Sequence, residues 1–142
     1  MKTGFYFRNA RGVAKAMGEA QDADGFWLYD LTVETTVGDR VAVCRHVEGE
    51  SFRVEGELLI FDDQPRVSMY ALAAVLPLLP AKQRDTGPND WMSTDAEIAC
   101  PDPNCGGRFR ITRGAKRWFS HAETTGLPEA RDTPYWQKEG AK

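Results

Sequence analysis

Aromatic and β-branched residues crowd residues 25–37, GFWLYDLTVETTV, and that pattern predicts a strand. Gly38-Asp39 marks a turn, and RVAVC, residues 40–44, resumes as a second strand ending at Cys44. Residues 51–61, SFRVEGELLIF, read as two short strands bent at Gly56 and closed by DDQP. Between 66 and 79 the period changes. Val67, Tyr70, Ala71, Ala74 and Val75 fall near helical spacing, and Pro77 ends or kinks the helix they predict. Past Cys105, Phe109 and Ile111 alternate with Arg108 and Arg110, Gly114-Ala115-Lys116 supplies a turn, and residues 117–121 return as the second arm of a hairpin. Together these elements predict an α+β fold: a small β-rich domain with a zinc-ribbon-like hairpin and one main helix.

The two ends carry weaker patterns. Within residues 1–24, ARGVAKAMGEA has helical propensity interrupted by Gly12 and Gly18, which predicts an N-terminal arm or helix. Residues 25–123 are the predicted metal-stabilised β-rich domain. Residues 124–142 mix Gly, Pro and charge with Tyr135 and Trp136, aromatics that a free tail would waste, so a docking tail is expected.

Length and charge narrow the class. With 142 residues, 42% hydrophobic and 27% charged, the chain is sized for one core. A net charge of −3 argues against wholesale affinity for nucleic acid or an anionic membrane. YALAAVLPLLP, the longest apolar run, is too short to span a bilayer and contains Pro77. The opening MKTGFYFRNARG lacks the apolar core of a secretory leader, and three cysteines are an odd number that suits a reducing compartment. The expected location is cytoplasmic.

Two of those cysteines carry the candidate chemistry. Cys100 and Cys105 have four residues between them, with Pro101 and Pro103 stiffening the loop and Gly106-Gly107 behind it. A zinc knuckle needs two thiolates on one tight turn, and backbone N–H groups from following glycines to steady the sulfur charge. A stiff loop also loses less entropy when an ion binds. The other half of a tetrahedral site must come from Cys44, His46 and His121, the remaining Cys and His residues. In VCRH, Cys44 and His46 stand two apart at a predicted strand end, where alternation points both to one side. The expected set is Cys44, His46, Cys100 and Cys105 around Zn2+, with His121 as the alternative fourth ligand. Four protein ligands leave no open position for substrate, so such a centre is structural and pins the hairpin to the rest of the domain.

No nucleophile elbow, P-loop or dinucleotide fingerprint is present, which points to an accessory chain rather than an enzyme acting alone. VLPLLPAKQR, with Trp91, Trp118 and Trp136, reads instead as contact surface, because interfaces favour tryptophan and arginine.

Taken together, VAVCRH, LPLLPAKQR and EIACPDPNCGGRF resemble the small zinc-carrying subunits of biotin-independent, ATP-dependent ketone carboxylases, the acetone carboxylase gamma and acetophenone carboxylase beta types. The resemblance runs from Val41 to Phe109, with one cysteine rather than two in the first knuckle. It implies a non-catalytic metal-binding subunit of a multi-subunit cytoplasmic enzyme, with Cys44, His46, Cys100 and Cys105 as ligands. The ATP and ketone chemistry would lie on larger catalytic protein subunits. The alternative is a nucleic-acid-binding zinc ribbon. Arg108, Arg110, Arg113, Lys116 and Arg117 share one predicted hairpin, with Phe109 and Trp118 available for stacking, although the acidic whole counts against it.

Overall fold

The aromatic and β-branched stretch folds into strand β1, Gly25–Val37. A hairpin follows, β2 (Ser51–Glu55) and β3 (Leu58–Ile60), turned at Gly56, whose φ of 60° is left-handed backbone that glycine adopts without strain. With β4 (Glu97–Ala99) and β5 (Gly107–Ser120) these strands make a five-stranded antiparallel sheet in the order β3-β2-β1-β5-β4. Register sets Leu31 against Val54, Val33 against Phe52, and Ile98 against Phe109. Alternation then sends Leu31, Val33, Phe52, Val54, Phe109 and Ile111 into one buried cluster.

Short helices pack into the same cluster. Helix α1, Met69–Val75, starts three residues after the expected position 66, because the Ser68 hydroxyl accepts the Tyr70 N–H at 3.2 Å and caps it. Ala71, Val75 and Leu79 recur every fourth residue and are buried on one stripe. Pro77 interrupts between the last two, and α2, Leu79–Lys82, resumes. Lys82 and Gln83 are buried as well: the Lys82 ammonium donates to the Asp95 carbonyl, and Gln83 Nε2 donates to the Gly56 carbonyl at 2.9 Å. Within VLPLLPAKQR, Val75, Leu79, Lys82 and Gln83 are thus buried, whereas Leu76, Pro77, Pro80 and Arg84 are exposed. Asp90 caps α3, Trp91–Thr94, and Ser120 caps α4, His121–Thr125.

Two expected elements differ. Residues 40–44 are irregular rather than a strand, because their backbone is committed to the cysteine loop instead of to a neighbouring strand. The chain also does not turn at Gly114, and β5 continues to Ser120. Gly114 lies against β1, where an added Cβ would meet the Asp30 carbonyl at 3.4 Å. Beyond it, Arg117 pairs with Asp30 at 2.7 Å and Glu55 at 3.1 Å, and Lys116 lies 2.8 Å from the Asp85 carboxylate. Those partners, on β1, on β2 and in the loop before α3, favour extension over reversal. The hairpin that does form is β4–β5, and its turn is the cysteine loop.

The computed structural model describes residues 25–62 and 66–126. The chain divides into two units, Leu28–Arg117, which holds the core, and the chain ends, Met1–Trp27 with Trp118–Lys142. Within the second unit Phe26 stacks on Phe119 with ring centroids 5.7 Å apart. The expected arm at 1–24 and most of the expected tail, 127–142, lie outside the described residues. No helix among the described residues is long and apolar enough to cross a membrane.

Candidate metal centre

The β4–β5 register sets Ala99 against Arg108, so Cys100 and Gly107 meet at the hairpin mouth, where the Cys100 N–H donates to the Gly107 carbonyl at 3.0 Å. Asp102 closes the loop between the two cysteines. Its carboxylate accepts the Asn104 N–H at 2.9 Å and its carbonyl accepts the Cys105 N–H at 3.0 Å. The Gly107 N–H in turn donates to Cys105 Sγ at 3.4 Å, the glycine-to-sulfur contact that a knuckle uses.

The segment carrying Cys44 and His46 is clamped onto this loop by main chain. The Gly38 N–H donates to the Gly106 carbonyl at 2.9 Å, and the Gly106 N–H donates to the Val41 carbonyl at 3.0 Å. Arg40 Nη1 donates to the Pro103 carbonyl at 2.9 Å. The approach is so close that a Cβ on Gly106 would sit 1.6 Å from the Arg40 carbonyl oxygen. Only glycine fits there. Further along, Arg45 takes a left-handed φ of 53°, the single non-glycine to do so among the described residues. That turn, rather than strand alternation, brings Cys44 and His46 to the same side.

The result is a tight four-residue set. The Sγ atoms of Cys44, Cys100 and Cys105 and an imidazole nitrogen of His46 all lie within 4.8 Å of one another. Cys44 Sγ and Cys100 Sγ are 3.7 Å apart. Two sulfurs at about 2.3 Å from one tetrahedral zinc ion would stand about 3.8 Å apart. His46, Cys100 and Cys105 are buried, and Cys44 is half-buried. His46 Nε2 is buried without a hydrogen-bond partner, an arrangement proteins avoid unless another group satisfies the atom. The ring is fixed by an edge contact to Phe109, centroids 5.0 Å apart, and by Gly107, where a Cβ would come within 2.7 Å of His46 Cδ2. This donor set fits a metal ion of Cys3His type.

Electrostatics divides the thiols. Burial pushes Cys105 up, but the backbone N–H groups of Cys44, Gly107 and Val43 outweigh it and hold the thiol down at about 7. Burial, the hydrogen bond to Asp102 and the neighbouring thiols push Cys44 up to about 12. The Asn104 N–H and the Cys44 thiol, which lies 3.3 Å from Oδ2, hold Asp102 below the usual carboxylate range. Burial lowers His46, favouring the neutral imidazole that ligates metals.

His121, the alternative fourth ligand, opens α4 and is not part of the set. Three residues with roles here were not singled out from the sequence: Asp102, Arg40 and Arg45. The Asp-Pro-Asn triplet at 102–104 is a turn signal that could have flagged Asp102. No sequence signal marks Arg45 as left-handed. No known protein family, characterised protein or solved structure matches the chain.

Proposed function

We propose that the chain is a zinc-binding, non-catalytic accessory subunit of a larger enzyme, with the ATP-dependent ketone carboxylases as the assembly its sequence resembles. The observation that carries the metal reading is the buried, unpartnered Nε2 of His46 beside three cysteine sulfurs. Three thiolates and an imidazole favour Zn2+ over hard cations, and four protein ligands leave no place for a substrate. The subunit reading draws support from apolar side chains left in solvent. Val41, Val43, Val47, Met69, Tyr70 and Trp91 are all more than half exposed. The carboxylase assignment itself rests on the sequence resemblance.

Specific contacts weigh against the alternative nucleic-acid reading. Arg110 pairs with Glu97 at 2.7 Å, Lys116 with Asp85, and Arg117 with Asp30 and Glu55. Arg113 donates to the carbonyls of Lys82 and Arg84 at 2.7 and 2.9 Å. Phe109 is 1% exposed and cannot stack on a base. Cations already neutralised release few counterions on binding a phosphate backbone.

Native purification tests both layers of the proposal. Zinc near one equivalent and co-elution with large catalytic chains are expected. Metal-free protein contradicts the zinc reading, and a zinc-loaded monomer that co-elutes with nothing contradicts the subunit reading.

A further inference from the structure

We propose that Cys44 is a peroxide-reactive site, whose oxidation is captured by Cys100 as a disulfide that expels the metal. The expulsion rests on the zinc reading above, whereas the bridge depends only on the placement of the sulfurs. Access separates the three thiols. Cys44 is half-buried and lines a groove of about 630 Å³ that it shares with Arg45, Arg66 and Tyr70. Cys100 is 6% exposed and Cys105 is 1% exposed. An oxidant arriving from solvent through that groove meets Cys44 first.

Geometry then selects the second sulfur. Cys100 Sγ is 3.7 Å from Cys44 Sγ, and a disulfide at about 2.05 Å requires the two to close by roughly 1.7 Å. Cys44 stands on an irregular segment outside the strand ladder, so side-chain rotation there disturbs no sheet pairing. Cys105 Sγ is instead held in place by the Gly107 N–H at 3.4 Å and is the most deeply buried of the three sulfurs.

The chemistry balances with hydrogen peroxide as oxidant. The Cys44 thiol releases its proton to solvent and its sulfur attacks one peroxide oxygen, the O–O bond breaks, and hydroxide leaves as the sulfenic acid forms. The Cys100 thiolate attacks that sulfur, the S–O bond breaks, a second hydroxide leaves, and the S–S bond forms. Two thiolates have lost two electrons to one peroxide. Only Cys105 and His46 then remain as ligands, half of a tetrahedral shell.

The test is peroxide titration of the zinc-loaded full chain, with a chromogenic chelator reporting released metal and fragmentation mass spectrometry mapping the bridge. Metal release in step with a Cys44–Cys100 bridge is expected, reversed by dithiothreitol and added zinc. In Cys100→Ser, with no sulfur to capture it, the sulfenic acid should persist on Cys44 and be trapped there by dimedone. A bridge that includes Cys105, dimedone on another cysteine, or retained zinc with intact thiols overturns the proposal. Should the chain bind no zinc, the same mapping on the reduced chain still decides the bridge, and only the metal reading falls.

Discussion

His46 and His121 both bury an unpartnered Nε2, yet only His46 stands among the thiols. His46→Ala should therefore lower zinc affinity by more than the roughly 10–100-fold typical of changes around a metal site, while His121→Ala leaves it unchanged. Competition with a chromogenic chelator measures both, and the reverse order would move the fourth ligand to α4. Protons should compete with the metal in a defined way. Cys44, pushed up to about 12, holds its proton across the neutral range and must release it on binding, which makes affinity rise with pH. Cys105, held down near 7, adds one further proton only below that pH. A plot of log affinity against pH should steepen by one unit of slope below about pH 7, and an unbroken slope would contradict the division of the thiols. Scarcity made the ligand candidates legible, since five residues are all the Cys and His the chain has. Arg40 and Arg45 were not legible because they act through loop geometry that spacing does not encode, whereas Asp102 carried a turn signal in Asp-Pro-Asn.

At the scale of elements, β1 and the β2–β3 hairpin followed directly from composition and from Gly56. Strand β5 did not, because Gly114 resembles a turn residue until Arg117's partners Asp30 and Glu55 on other strands are known. Long-range pairing of that kind is invisible to a local pattern. The β5 strand joins core to metal centre through Phe109, fully buried and in edge contact with His46. Phe109→Ala should cost about 3–5 kcal/mol in denaturant unfolding and also weaken zinc binding. A stability loss with affinity unchanged would show that the ring does not position His46. Gly106→Ala tests the clamp between the two halves of the site. Its Cβ would overlap the Arg40 carbonyl, so a loss on the order of 1–3 kcal/mol is expected, along with weaker metal binding.

For the whole molecule, main-chain hydrogen bonds and the Cys44, His46, Cys100 and Cys105 cluster join an otherwise irregular segment, residues 38–50, to the β4–β5 hairpin. Metal removal should consequently destabilise the fold without abolishing it, because Leu31, Phe52, Val54 and Val75 pack without the ion's help. Free zinc at a hundredfold excess over Kd contributes about 2.7 kcal/mol, so chelation should lower Tm on the order of 10 °C in a scanning calorimeter. An unchanged Tm would separate the cluster from the stability of the fold.

The central claim is a zinc ion held by Cys44, His46, Cys100 and Cys105. X-ray absorption at the zinc edge of the purified protein tests it most directly. The account predicts about three sulfurs at about 2.3 Å and one nitrogen at about 2.0–2.1 Å. A shell of oxygen and nitrogen alone, or a protein that holds no zinc after growth in zinc-supplemented medium, would contradict it.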